Sequence, residues 1–208
     1  MKKTGLLIKD FFLLAKYCRS FLLIIAIFLG VSVVGSQSDY YTVFPCLLVG
    51  LMPATLLSYD EREKWDVYAQ TLPVSRAQFV GEKYLMGALC LAGFLVLQLL
   101  VSFLSGAVRS GADLAALLLV DLALGLLAPA VMLPFFFRFG VEKGRILLFA
   151  MTGLMTLGLL ALTRAPLGAL MLRLPSPKLL TAVAVPGIVA LYALSCLLSI
   201  RLYRDREL

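Results

Sequence analysis

Along this chain long apolar runs alternate with short charged ones, and the apolar runs are too long and too unbroken for the one-sided stripes of a soluble domain. Measured against charged, proline and glycine interruptions, six stretches stand out, at about 21–35, 41–57, 84–105, 112–137, 146–162 and 179–200. A helix needs ~20 apolar residues to cross a hydrocarbon core of ~30 Å, so each stretch predicts one crossing. The expectation is an all-α membrane protein with six transmembrane helices in a single domain over residues 1–208. Little chain is left over for a separate soluble catalytic domain.

The charged segments between these runs set the orientation. With the amino terminus on the cytoplasmic side, the outside connections hold Arg109, Arg164, Arg173 and Lys178, and the inside segments hold the other fifteen of the 19 basic residues. Such an excess predicts a multi-pass protein with both termini in the cytoplasm. The first apolar run is read as a retained helix rather than a cleaved leader, because it follows about twenty residues, lacks a small-residue cleavage site and precedes five further runs.

Residues 1–20 place Leu7, Ile8, Phe11, Leu14 and Ala15 on one helical face and Lys2, Lys9, Asp10 and Lys16 on the opposite one. That pattern predicts an amphipathic helix lying in the membrane interface, against membrane lipids. Leu6 and Leu13 interrupt its polar face, which implies that protein covers part of that face or that the helix sits deeper among the headgroups. The plainer alternative is a basic flank that only orients the first span.

Residues 59–83, YDEREKWDVYAQTLPVSRAQFVGEK, are too long for a turn and carry nine charged residues between Asp60 and Lys83. Within them Trp65, Tyr68, Ala69 and Leu72 recur at the spacing of one helical stripe, which predicts a short amphipathic helix. Asp60 and Lys64 are spaced for an ion pair one turn apart, and Pro73 blocks continuation. A second helical start follows through Ser75. The bland alternative is a solvated loop helix whose Trp and Tyr rest at the membrane interface. Farther on, LPFFFRFGVEKGR joins an aromatic run to a compact turn in which Gly140 and Gly144 permit positive φ and Arg138, Lys143 and Arg145 face headgroups or a partner.

Composition narrows the chemistry. Hydrophobic residues make up 62% of the chain and charged ones 15%, against about half and about a quarter in soluble domains. Without a histidine the chain lacks the commonest general base and metal ligand, which removes histidine-centred hydrolysis and zinc chemistry. Cys18, Cys46, Cys90 and Cys196 are widely separated, form no C-x-x-C pair and read as small apolar side chains. G-x-x-x-x-G-K-[ST] does not occur, so the chain has no nucleotide site of that type. The net charge of +7 is accounted for by topology and needs no nucleic-acid partner.

Asp121 is the one acid within a predicted span, and an ionised carboxylate there must be paired, protonated or hydrated. It belongs either to a translocation cavity or subunit interface, or to a structural bridge with Arg109 or Arg164, or to the outer membrane surface. Pro129 and Pro134 predict bends in the same helix. Gln98, Ser102, Thr152, Thr156, Tyr192 and Ser195 are the other polar groups in the spans, and hydrogen bonding between helices is their usual role. Gln98, Thr152 and Thr156 are also candidates to line the cavity with Asp121. So little charge suggests an apolar or amphipathic cargo.

The run LSYDEREKWDVYAQTLPVSRAQFVGEKYL, with the later FRFGVEKGR turn, resembles the membrane subunit of an ABC exporter of the ABC-2 type, in the group of short six-span bacterial permeases that includes peptide and toxin exporters. The resemblance implies a permease in a bacterial plasma membrane, paired with a second permease copy, identical or paralogous. It also implies a separate ABC ATPase that holds the ATP and Mg, with no cofactor in this chain. Residues 1–20 would be the interface helix, the helix over 61–72 the coupling helix, and residues 163–178 a short extracellular cap. The residues that would meet the ATPase are Glu61, Glu63, Trp65, Asp66, Tyr68 and Leu72, with Arg138, Lys143 and Arg145. Two other classes fit the size: a six-span substrate-binding component of a vitamin-type importer, and a membrane scaffold. An intramembrane enzyme would need converging nucleophiles, bases or metal ligands that one Asp does not supply.

Overall fold

The computed structural model describes residues 4–17, 19–34, 40–69, 71, 75–104, 111–144, 146, 149 and 177–204. These form helices α1 (Thr4–Tyr17), α2 (Arg19–Val34), α3 (Tyr40–Arg62), α4 (Trp65–Ala69), α5 (Arg76–Leu104), α6 (Gly111–Phe139) and α7 (Pro177–Arg204), and among the described residues there is no strand. Four helices contain segments long and apolar enough to cross a membrane: Val43–Arg62, Arg76–Phe103, Leu117–Phe139 and Pro186–Arg204. At 16 residues α2 is ~24 Å long, short of a hydrocarbon core; α1 and α2 are long and apolar enough only together, bent by 67° as a broken span or a re-entrant segment is. Of the six crossings expected, the stretch over 146–162 lies outside the described residues except at 146 and 149, and so does the cap over 163–178 except at 177 and 178.

The helices overrun the apolar stretches that predict them. The second predicted span, 41–57, continues to Arg62, and the third, predicted from 84, begins at Arg76. Both overruns carry ionisable residues that are buried: Asp60 is 2% exposed, Glu82 7% and Lys83 not at all. Apolar length marks only the lipid-exposed part of a helix whose end is covered by protein.

Ser75 sets the start of α5. Its hydroxyl accepts from the Gln78 backbone N–H at 3.2 Å while its own N–H donates to Gln78 Oε1 at 3.1 Å, a reciprocal capping box that satisfies two orphan donors. The end of α7 is closed from the same place, because the Arg76 guanidinium donates to the carbonyls of Tyr203 and Arg204 at 3.3 and 2.8 Å. The start of α5 and the end of α7 are thereby joined.

Close helix approach rests on small residues, as expected where lipid removes the hydrophobic drive between helices. Gly50 of α3 faces Gly125 and Ala128 of α6; Gly87 of α5 leaves room for the Pro53 ring of α3. One core cluster joins Leu14, Ile25, Leu29, Val49, Leu91 and Leu126. A second, at the other end, gathers Leu57, Phe79, Leu133, Phe136, Phe137 and Tyr203. Leu97, Leu100, Phe103, Leu194 and Leu197 face outward, where lipid is their natural solvent.

Polar groups in the spans tie helices together. Tyr84 OH lies 2.8 Å from Ser195 Oγ and 2.7 Å from Ser199 Oγ; Tyr192 OH donates to the Tyr84 carbonyl at 2.7 Å, and Ser195 Oγ donates to the Ala130 carbonyl at 2.5 Å. Three helices, α5, α6 and α7, meet in this network. Ser102 instead bonds within α5, to the Gln98 carbonyl.

Candidate functional site

The end of the bundle where α3, α6 and α7 finish and α5 begins carries most of the charge. Four side chains from three helices interlock there. Lys83 Nζ, on α5, lies 2.5 Å from Asp10 Oδ2 of α1 and 2.5 Å from Asp60 Oδ2 of α3. Lys9 Nζ, on α1, lies 2.7 Å from Asp60 Oδ1 and 3.0 Å from Asp10 Oδ1. Side chains of Lys83, Asp10 and Asp60 are at most 3% exposed, and Lys9 is 22% exposed. Burial of these charges is tolerated because each has a counter-ion in contact. Glu82 lies alongside, electrostatically coupled to all four, and among the described residues neither of its oxygens has a hydrogen-bond partner.

Two expectations are corrected here. Asp10, predicted on a polar face turned to headgroups, is fully buried with Leu6 and Leu14, while Ile8, Phe11 and Phe12 are the exposed side of α1. Of the two readings that the interrupted polar face allowed, cover by protein is the one found. Asp60 does not pair with Lys64: it turns inward to Lys9 and Lys83, and Lys64 is exposed with φ 54°. That left-handed residue, whose N–H donates to the Glu61 carbonyl at 3.2 Å, ends α3 and turns the chain into α4.

The predicted helix over 61–72 is therefore divided. Glu61 and Arg62 finish α3, Glu63 and Lys64 form the turn, and α4 holds Trp65, Asp66 and Tyr68; Leu72 lies outside the described residues. Trp65 packs inward with the buried Ala69, Tyr68 is exposed, and the Trp65 and Tyr68 ring centroids are 5.1 Å apart. Lys9 Nζ stands 4.6 Å from the centroid of the Trp65 ring, a cation–π contact between α1 and α4.

Beside α4 the chain after α6 folds back. Gly140 takes φ 81°, donates its N–H to the Phe136 carbonyl and opens a helical turn over 141–144. Glu61 reaches across from α3 and accepts the Val141 N–H at 2.6 Å, so two segments eighty positions apart meet directly. Gly144 packs against the Phe136 ring, too close to admit a Cβ. Between the end of α3 and this turn lies an open groove of about 710 Å³, bordered by Ser58, Glu61, Arg62, Phe139, Glu142 and Lys143. Arg138 is exposed and stands over the Phe139 ring; Arg145 lies outside the described residues.

Within the bundle, Gln98 Nε2 of α5 donates to Asp121 Oδ2 of α6 at 2.6 Å, and Cys46 Sγ of α3 donates to the Asp121 carbonyl at 3.0 Å. Asp121, Gln98 and Cys46 have no exposed surface, so the first two predicted cavity residues lie together inside the packing of one chain. Thr152 and Thr156, like the proposed partners Arg109 and Arg164, lie outside the described residues. Among the described residues no three metal-ligating side chains converge.

The sequence reading left Lys9, Asp10, Asp60 and Lys83 unconnected. The available signal was an acid and two lysines each abutting an apolar run, together with leucines on a face that ought to be polar.

The family described as ABC-2 family transporter protein matches the chain over residues 5–204. A comparison with curated proteins returned no match.

Proposed function

The chain belongs to the ABC-2 family of transporter proteins, as a multi-pass permease subunit of an ABC transporter, and from that premise we propose that it serves an ATP-driven exporter of apolar or amphipathic cargo. The family associates with an ABC ATPase, and the end of the bundle around α4 is its docking surface in this reading. One observation carries it: the Glu61 to Val141 hydrogen bond joins the two segments that resemble the family, with Arg62, Phe139, Glu142 and Lys143 exposed on one groove and Tyr68 exposed on α4, which follows the turn after Arg62. A groove flanked by mixed charge and one exposed aromatic ring suits a partner with a complementary polar rim and an apolar anchor.

With the ATPase on this side, the docking end faces the cytoplasm of a bacterial plasma membrane, in line with the charge bias of the connecting segments. The stretch over 146–162 completes a sixth span, and two permease copies frame the pathway. The character of the cargo follows from the span interiors: Asp121 and Gln98 are bonded to each other and have no exposed surface, so neither offers its polarity to what crosses, which suits an apolar or amphipathic cargo.

The test is purification from native membranes in mild detergent, comparing the natural chain with a Tyr68→Ala, Lys143→Glu variant. Both positions are exposed, so the fold is kept. An ATP-hydrolysing subunit should accompany the natural chain and bind the variant about tenfold less tightly, ~1.4 kcal/mol. A chain that purifies without one, or a partner indifferent to both substitutions, overturns the docking surface.

A further inference from the structure

The interlocked charges at the end of the bundle have a property that an ordinary structural ion pair lacks. Each of the two parts they join holds an ion pair of its own, and Glu82 lies beside the pair on α5. On α1, Lys9 already contacts its neighbour Asp10 at 3.0 Å; on the α3 and α5 side, Lys83 already contacts Asp60 at 2.5 Å. The remaining contacts, Lys9 to Asp60 at 2.7 Å and Lys83 to Asp10 at 2.5 Å, cross between the two parts. When engaged, the two pairs lie with opposite charges facing. When separated, every charge keeps one counter-ion. A helix held by a single buried pair strands two charges when it leaves; a helix held by two opposed neutral pairs strands none.

The surroundings of α1 fit a helix that moves. Its outer face presents Ile8, Phe11 and Phe12, 55 to 68% exposed, which can slide in a bilayer surface without uncovering polar groups. Its inner face makes its charged contacts through Lys9 and Asp10. Lys9 is also the residue that meets Trp65, whose indole N–H is buried without a hydrogen-bond partner among the described residues. Displacement of α4 therefore acts first on one of the two crossing contacts.

We propose that Lys9, Asp10, Asp60 and Lys83 form a releasable latch that holds α1 against α3 and α5, and that movement of α4 opens it through Trp65. The latch rests on the docking reading, since it takes its input from a partner at α4. These four are positioning residues: they act on α1 and touch no cargo. Engaged and released α1 are the two discrete arrangements that a coupling element requires.

The experiment uses the permease and ATPase complex isolated from native membranes, with native cysteines replaced and spin labels at Ile8→Cys on α1 and Leu97→Cys on α5, both exposed. Distances are recorded without nucleotide and after trapping with MgATP and vanadate. In the natural charge background the nucleotide-free complex should give one short distance, and trapping should move it beyond the width of that distribution. A Lys9→Met, Asp10→Asn variant removes both crossing contacts but leaves Lys83 paired with Asp60, and should show the longer distance before any nucleotide is added. Asp60→Asn with Lys83→Met, which also removes both crossing contacts and leaves Lys9 paired with Asp10, serves the same purpose if the first variant does not fold. A purely structural clamp predicts no response to nucleotide. Failure of either shift, with trapping or with the latch variant, overturns the proposal. Absence of any ATP-hydrolysing subunit is seen at purification, before distances are measured, and overturns the docking reading and the latch together.

Discussion

Lys83 has no exposed surface, and its ammonium is tolerable only because Asp10 and Asp60 both contact it. Removing one member of such a set is costly, since it leaves buried charge uncompensated, whereas removing an opposite pair together is far milder. Lys83→Met alone should lower stability by about 3–5 kcal/mol, and Asp10→Asn in the same chain should restore most of it. Thermal unfolding of the detergent-purified chain and its two variants checks this; equal loss in the single and double variants would show that the two charges act independently. Little of this was legible in the sequence. A lysine before an apolar run reads as a basic flank, and the partner that buries Lys83 lies 73 positions away. Trp65 was legible, because one indole in a charged segment stands out by type alone. Its contact with Lys9 was not.

Helices as elements were far easier to read. Apolar length places α2, α3, α5, α6 and α7, and the helical start through Ser75 is a local signal that the structure bears out in position, whereas the break at Glu63 and Lys64 had no such signal. Boundaries erred wherever a charged residue was covered by another helix, as at Asp60, Glu82 and Lys83. Close packing of these elements is decided at single glycines. A Cβ on Gly87 would lie 2.7 Å from Pro53 Cγ and 3.2 Å from Tyr192 OH, a rigid ring and a hydroxyl already bonded to the Tyr84 carbonyl. Gly87→Ala should therefore cost about 1–3 kcal/mol by overpacking. A Cβ on Gly30, within α2, would meet nothing within 4 Å, and Gly30→Ala should gain about 0.5–1 kcal/mol from helix propensity. Unfolding midpoints of the two variants, measured side by side, should move in opposite directions.

For the molecule as a whole, orientation is the property on which docking, latch and cargo path all depend. An impermeant maleimide should label Tyr68→Cys and Lys143→Cys only in inverted vesicles, and Arg109→Cys only in intact cells, in a chain otherwise free of cysteine. Labelling of positions 68 and 109 from the same side would overturn the arrangement of the spans. What the sequence by itself determined is the solvent of each segment: apolar length and basic bias are sums over neighbouring residues, so they survive without knowledge of the fold. That is why the membrane class, the helices and the family resemblance could be read directly. What only the tertiary structure decided is which charges meet. Lys9, Asp10, Asp60 and Lys83 come from three helices, and Glu61 reaches Val141 across 80 positions. Electrostatic pairing depends on distance in space, and packing alone sets that distance.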